Sequence, residues 1–344
     1  MEEKSVSEIV ELASAFYGSA VLFAALEKGL FAAVEKAEKG TCGEIAEATG
    51  CSPRGLRILL DACVAEGLLA KNGDAYSNTQ AGRIALVPGG PADLSQAIKY
   101  NQDVYPAWGR LARFAETGRP AEAPSLHLGD DPERTRRFAL AMRGRAMAIG
   151  RAVVPMVSLS SGASDTMHPA AGGRLLDLAG GPGTYAELIV RTNPGWTAVT
   201  VDVPAVSAVA AECVRAAGLA DRIECRAGDY HSDEYEPSAY DAVTIFGALH
   251  QESPEAIVDI LKRAARALKQ GGSIFVLDMM TDETRTSPKF SALFAVNMAL
   301  TAENGWVFSD AELKDWMREA GFEPGETRPV PPPMPHWLVC GHKI

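Results

Sequence analysis

The sequence predicts a doubly wound, Rossmann-like α/β domain with an antiparallel last strand, preceded by a smaller, mainly α-helical domain. Three observations carry this. From Gly173 onward, short apolar runs alternate with helical patterns. The first 95 residues instead read as helix, turn, helix and a short hairpin. A chain of 344 residues, at about 150 per domain, has room for two domains.

Taken in order, Ile9, Ala13, Phe16 and Tyr17 recur at helical spacing, as do Val21, Leu22, Ala25 and Leu26. Thr41 is placed to cap a short helix that Gly50 stops. Ser52 followed by Pro53 starts the next, which carries Leu56, Ile58, Leu59, Ala62 and Cys63 toward Gly67. Asn72-Gly73-Asp74 supplies a turn between Leu68–Lys71 and Ala75–Asn78. Residues 1–95 thus form a winged-helix pattern.

Residues 96–160 read as a helical linker and pocket wall. Tyr100, Tyr105 and Trp108 cluster in one helix, and Phe138, Leu140, Met142 and Met147 in another. With Phe294, Met298 and Trp306 they are candidate walls of an acceptor pocket, although such residues also serve as plain core. Residues 161–344 hold the α/β domain. Strands are expected at Arg174–Leu178, Thr197–Val201, Ile223–Arg226, Ala242–Phe246 and Ser273–Leu277. The run Trp337–Cys340 closes the chain without a following helix and is expected to pair antiparallel at or near an edge.

Composition narrows the function. The formal net charge is −11. Nucleic acid and anionic membranes both select a basic face. Residues 1–95 carry eight Lys and Arg against thirteen Asp and Glu, so this winged helix lacks the charge that duplex DNA demands. The most apolar stretch, Ala13 to Phe31, is broken by Glu27 and Lys28, and no transmembrane helix is expected. Met1-Glu2-Glu3-Lys4 lacks the positive start of a secretory signal. The six cysteines form no C-x-x-C pair, which points to reduced thiols in the cytoplasm. His127, His168, His231, His336 and His342 show no ligand spacing, so no metal site is expected.

The chemistry concentrates at strand ends. The first βα turn is Asp177-Leu178-Ala179-Gly180-Gly181-Pro182-Gly183. Its glycines allow close approach of backbone to a ligand, at the sheet edge where such folds bind. It lacks G-K-[ST] and is no P-loop. A dinucleotide pattern is satisfied, but a carboxylate at Asp177 disfavours a pyrophosphate and suits a cationic ligand such as S-adenosylmethionine. Asp202 ends the next strand, where a carboxylate accepts from ribose hydroxyls. Gly228-Asp229-Tyr230 ends the third, with Asp229 placed for an adenine amine and Tyr230 for the ring. Val203 and Phe246 complete the candidate cofactor set. His250 follows the fourth strand and precedes a helix that Ser253 and Pro254 start, so it faces the crevice.

Asp177 through Gly183, Asp202, Gly228-Asp229-Tyr230, Leu249-His250 and Lys269-Gln270-Gly271-Gly272 resemble the ordered motifs of class I methyltransferases. With the N-terminal winged helix, the whole chain resembles the O-methyltransferases of plant phenolic, hydroxyindole and bacterial tailoring pathways. The resemblance implies S-adenosylmethionine as donor and S-adenosylhomocysteine as product. It implies a homodimer joined through the N-terminal domain, and His250 as the catalytic base with Asp278 orienting it. Three positions depart from the pattern. Ala179 replaces the first glycine, Gln251-Glu252 replaces the usual Asp-Trp after the histidine, and Val307 falls where a second carboxylate is usual, with Glu303 nearby.

These features favour O-methylation of a small hydroxylated molecule. The alternative is a sulfur or carbon acceptor in a small acid, for which no base is needed; Arg143 and Arg145 are then candidates to pair with its carboxylate. An NAD-dependent oxidoreductase and a ligand-sensing winged-helix regulator are the remaining classes.

Overall fold

A computed structural model describes residues 3–90, 93–122, 129–159, 172–332 and 334–344. The chain divides into two compact units between Asp103 and Val104. The first unit therefore runs past residue 95, into the helix that follows.

Helices α1 (Val6–Ser14), α2 (Phe16–Glu27), α3 (Leu30–Lys36), α4 (Cys42–Thr49), α5 (Pro53–Ala65) and α6 (Gln80–Ala85) build the first unit around a hairpin of β1 (Leu69–Asn72) and β2 (Ala75–Asn78). Local chemistry sets their ends. Ser5 and Glu8 form a reciprocal capping box on α1, and Thr41 accepts from Glu44 N at 3.3 Å to start α4. Gly50, at φ 66°, ends α4, and Ser52 caps α5 with Pro53 at its first position. Leu30, Phe31, Ile45, Leu56, Leu60, Leu69 and Tyr76 form the core of this unit. Each such side chain contributes about 1.5–3 kcal/mol by leaving water. Asn78 Nδ2 ties the wing to α3, donating to Phe31 O and to Glu35 Oε2, both at 2.9 Å.

The helical run Val6–Glu27 is apolar and long enough, by composition alone, to cross a membrane. It is interrupted at Ala15, which caps α1 and opens α2. Val6, Ile9, Val10, Leu12, Phe16 and Tyr17 are all exposed along it, as is Ile58 on α5.

Helix α7 (Ser95–Trp108) crosses the division. The second unit adds α8 (Leu111–Thr117), α9 (Pro132–Val153), α10 (Thr184–Thr192), α11 (Pro204–Ala216), α12 (Pro254–Ala267), α13 (Lys289–Thr301) and α14 (Asp310–Glu319). Its strands are β3 (Arg174–Leu178), β4 (Thr197–Asp202), β5 (Ile223–Ala227), β6 (Tyr240–Phe246), β7 (Leu268–Asp278), β8 (Phe322–Pro329) and β9 (Trp337–Lys343). They form one sheet in the order β5-β4-β3-β6-β7-β9-β8. The first five are parallel, and β9 lies antiparallel between β7 and β8. Near-continuous apolar runs, such as Leu175-Leu176 and Val243 to Phe246, are buried on both faces, as a helix-covered parallel sheet requires. Leu176, Val199, Val243 and Val276 pack with Ile257, Leu261 and Leu313 on one side. Leu175, Ala198, Phe275 and Leu277 pack with Ile149, Ile189 and Val190 on the other.

Strand order reverses at β3, whose neighbours are β4 and β6. Open α/β sheets bind ligands at such a switch point, outside the carboxyl ends of the strands. Strand β8 went unforeseen in the sequence. Its segment, Phe322-Glu323-Pro324-Gly325-Glu326-Thr327-Arg328-Pro329, carries the prolines, glycine and charges that mark a sheet edge and erase alternation. Its presence places β9 one strand inside the edge.

Candidate active site

The turn after β3 is shaped by positive φ angles at Ala179 (51°), Gly181 (55°) and Gly183 (71°). Gly183 N donates to Gly180 O at 3.0 Å, closing it, and Gly180 N donates to Val201 O at 3.1 Å. A Cβ at Gly180 would strike Thr200 Oγ1 and Asp177 Oδ2, so only glycine fits. Ala179 fits its left-handed conformation at a cost of roughly 1–2 kcal/mol.

Asp177 lies beneath this turn rather than at its surface. It is 1% exposed and accepts from Thr244 Oγ1 at 2.7 Å and Thr200 Oγ1 at 3.1 Å. Burial pushes its carboxyl up to about 6, against the pull of the two hydroxyls. Both its oxygens are engaged, so its structural work is to pin the loop across β3, β4 and β6.

Asp202 is half-buried at the end of β4, beside that switch point. Its Oδ2 accepts from Gly181 N and its Oδ1 from Val203 N, both at 2.8 Å. Two backbone N–H groups fix the plane of the carboxylate. Each oxygen keeps a second lone pair, enough to accept a vicinal pair of hydroxyls. Burial raises this carboxyl also to about 6. Above Gly181 a Cβ would meet nothing within 4 Å, so the turn offers room next to Asp202. Open backbone and an aligned carboxylate fit the nucleoside end of S-adenosylmethionine.

At the end of β5 the structure reveals a network that sequence reasoning missed. Asp229 Oδ1 accepts from His231 N at 2.9 Å and lies 2.8 Å from His231 Nδ1. Opposing burial, these contacts hold the Asp229 carboxyl below its usual range. His231 Nε2 lies 2.8 Å from Glu252 Oε2, and Tyr230 Oη donates to Glu252 Oε1 at 2.6 Å. Tyr230 stacks on His231 with centroids 4.4 Å apart. Burial first, then Glu252, raises the Tyr230 hydroxyl well above its ordinary value. The sequence marked Asp229 and Tyr230, but for their link to Glu252 the only signal was the departure at Gln251-Glu252.

His250 sits on a single 3-10 turn, Leu249–Gln251, after β6. It is 7% exposed, and its Nδ1 lies 2.6 Å from Asp278 Oδ1 at the end of β7. Asp278 Oδ2 accepts from His250 N at 3.3 Å, and Oδ1 from Met279 N at 2.8 Å. A carboxylate only accepts, so Nδ1 carries a proton, and in the neutral imidazole Nε2 is then the nitrogen with the free lone pair. Trp306 brackets the turn: its N donates to His250 O at 3.0 Å and its Nε1 to Glu252 O at 2.7 Å.

Phe294 stands edge-on to the His250 ring at 5.1 Å, and packs with Met298, Met279 and Val307. These groups form an apolar wall beside His250. Trp108 Nε1 donates to Asn297 Oδ1 on the same helix, α13, at 3.0 Å. Phe246 packs edge-on against Tyr185 at 4.9 Å. Val307 is buried in the apolar cluster and Glu303 is exposed, so neither supplies a second carboxylate to His250.

The remaining candidates divide. Phe138, Met142 and Met147 lie half-buried on α9, and Tyr105 is exposed on α7. Tyr100 is buried in the first unit. Arg143 is a correction: its Nη2 pairs with Glu187 Oε2 at 2.9 Å and Nη1 approaches Thr184 Oγ1 at 3.5 Å. That carboxylate is buried on α10, so this ion pair ties α9 to α10. Among the expected non-ligand histidines, His127 and His168 lie outside the described residues. His336, just before β9, is buried with Nδ1 unpartnered, and burial lowers it to about 4.

Comparison with known proteins places the chain in a family. Residues 126–323 match the O-methyltransferase domain model, and residues 10–88 match the O-methyltransferase dimerisation domain. The chain is 31% identical to the tetracenomycin polyketide synthesis 8-O-methyl transferase TcmO of Streptomyces glaucescens, covering 98% of this chain and 96% of that one. It is 29% identical to the 3-hydroxy-5-methyl-1-naphthoate 3-O-methyltransferase of Streptomyces sahachiroi, over 97% of this chain and 94% of the relative. The crystal structure of human N-acetylserotonin methyltransferase in complex with S-adenosylmethionine superposes with a TM-score of 0.86 at 24% identity, covering 99% of this chain and 98% of that one. The chain belongs to the O-methyltransferase family and carries both its methyltransferase and its dimerisation domain.

Proposed function

We propose that the protein O-methylates a small hydroxylated aromatic molecule, with His250 as general base. The observation that carries this is the 2.6 Å contact between His250 Nδ1 and Asp278, which leaves Nε2 as the proton acceptor. S-adenosylmethionine is the donor, and when bound it supplies an electrophilic methyl carbon on its sulfonium. Asp202 accepts from its ribose hydroxyls, Asp229 from its adenine amine, and the turn Ala179–Gly183 lets backbone approach it. Val203 and Phe246 flank those contacts.

On the acceptor side, Phe294 and Met298 exclude water and hold an aromatic ring, and Met142, Met147 and Phe138 extend that wall. His250 Nε2 takes the hydroxyl proton as the acceptor oxygen bonds to the methyl carbon and the sulfur–methyl bond breaks, which leaves neutral S-adenosylhomocysteine. Asp278 stabilises the imidazolium that results. A positioned histidine base contributes roughly 10²–10⁴-fold, and alignment of the reacting atoms can contribute about 7–11 kcal/mol.

The aromatic class follows the relatives named above and the apolar setting of His250. The assay is transfer of isotope-labelled methyl from S-adenosylmethionine into a panel of phenols, hydroxynaphthoates, thiols and 2-oxo acids, read by product mass. Oxygen-methylated phenols support the assignment. Methylated thiols or carbon products demote His250 to a binding role.

The exposed apolar row Val6, Ile9, Val10, Leu12, Phe16 and Tyr17 supports a homodimer formed through this surface. Light scattering should report twice the chain mass, and Leu12→Glu with Phe16→Glu should report one. A wild-type monomer would refute it.

A further inference from the structure

The turn that carries His250 and the loop at the end of β5 are joined by side chains. Glu252 is the joint. Its carboxylate is 7% exposed, and its two oxygens face two different residues of the loop, Tyr230 Oη at 2.6 Å and His231 Nε2 at 2.8 Å. His231 continues the path, since its Nδ1 and its backbone N both lie within 2.9 Å of Asp229 Oδ1. On its other side Glu252 is fixed by backbone: its N donates to Leu249 O at 3.0 Å and its O accepts from Trp306 Nε1 at 2.7 Å. A continuous path of short polar contacts therefore runs from Asp229 to the turn of His250.

A buried carboxylate with partners on only one side of a crevice would be a cap. One whose partners belong to a second loop is a tether, because neither loop can shift without breaking a charged hydrogen bond. Tyr230 and His231 also stack, so the tether holds a flat aromatic surface as well as a carboxylate.

We infer that Glu252 and His231 are positioning residues that lock the adenine-facing loop Asp229–His231 onto the turn bearing His250, so that holding the donor and setting the base are coupled. This rests on the assignment of the β5 loop to the adenine of S-adenosylmethionine. Glu252 acts through Tyr230 and His231 and touches no reacting atom. His231 sets the direction of the Asp229 carboxylate.

The test measures S-adenosylhomocysteine binding by calorimetry, which needs no acceptor, beside the kinetics of the full chain. Glu252→Ala should weaken S-adenosylhomocysteine at least tenfold and raise KM for S-adenosylmethionine by a similar factor. It should lower kcat several-fold, while KM for the acceptor moves less than twofold. Glu252→Gln keeps an acceptor for Tyr230 and a polar partner for His231, and should recover binding to within about threefold of wild type. His231→Ala should give an intermediate loss, and the double variant His231→Ala with Glu252→Ala should be no worse than Glu252→Ala alone. Circular dichroism confirms that each variant is folded, and the glutamine and histidine variants decide the matter if Glu252→Ala is not. Unchanged S-adenosylhomocysteine affinity in Glu252→Ala, additive losses in the double variant, or a shift confined to the acceptor KM would each overturn the tether. Failure of the wild-type chain to bind S-adenosylhomocysteine is a separate outcome, and removes the cofactor assignment itself.

Discussion

The carboxyl edge of the sheet is built in two ways. On the donor half, at the ends of β3, β4 and β5, the site consists of backbone and carboxylates. Gly181 N and Val203 N aim Asp202, and Thr200 and Thr244 hold Asp177 under the turn. On the acceptor half, at the ends of β6 and β7, one polar pair, His250 and Asp278, stands against apolar side chains carried by α13. Under the proposed function, the donor half recognises one molecule through groups fixed by the main chain. On the same proposal, the acceptor half fixes only the His250–Asp278 pair and leaves the rest of its lining to apolar side chains.

The contrast can be broken most sharply at Asp278. Asp278→Ala should leave His250 without its orienting partner, and kcat should fall by roughly 10²–10⁴-fold, with S-adenosylhomocysteine affinity within about twofold. A comparable loss of S-adenosylhomocysteine binding would show that the halves are not separable there.

The matching change on the donor half is Asp202→Ala. Losing charged hydrogen bonds worth about 1.5–3 kcal/mol should weaken S-adenosylhomocysteine by roughly 10–100-fold in calorimetry. The acceptor KM should be unaffected.

Acid titration sharpens the same point. Burial lifts both Asp177 and Asp202 to about 6, above the ordinary carboxylate value of about 3.9. At these two groups the folded chain binds more protons than the unfolded chain between about pH 4 and pH 6, so their joint contribution to stability falls as pH rises across that window. His336, which burial lowers to about 4, contributes in the opposite direction. Asp202→Asn should therefore make the ligand-free protein's stability rise more steeply with pH over that window. Donor affinity should run the opposite way. An ionised Asp202 accepts two hydroxyls, so S-adenosylhomocysteine should weaken by up to about tenfold per unit as pH falls below about 6. Affinity that is flat from pH 5 to pH 8 would remove Asp202 from the donor contacts.

The smallest expected effect lies at the first residue of the turn. Ala179→Gly relieves a φ of 51° but adds disorder to the unfolded chain. Thermal stability should change by less than about 1 kcal/mol, and donor affinity by less than about twofold.

How far the sequence could be read differs along the same line. Donor-half residues lie at strand ends separated by regular βα units, so Asp177, Asp202 and Asp229 were locatable from periodicity alone. The termini of α4 and α5 were legible because their caps are local. Strand β8 was hidden because Pro324 and Gly325 suit an edge and remove the alternating pattern. His231 and Glu252 were hidden because their partners are 21 residues apart and meet only through the sheet. Arg143 looked like a substrate anchor because its buried partner, Glu187, stands on another helix. Asp177 was placed correctly in the fold, but its engagement by two threonines is a tertiary fact.

The central claim, that His250 is the base of an oxygen methylation, is tested most directly by His250→Ala. Turnover of a phenolic acceptor identified in the labelled-methyl panel should be measured beside S-adenosylhomocysteine binding. A fall in kcat of roughly 10²–10⁴-fold with donor affinity unchanged is the expected result. Near wild-type turnover by His250→Ala would contradict it.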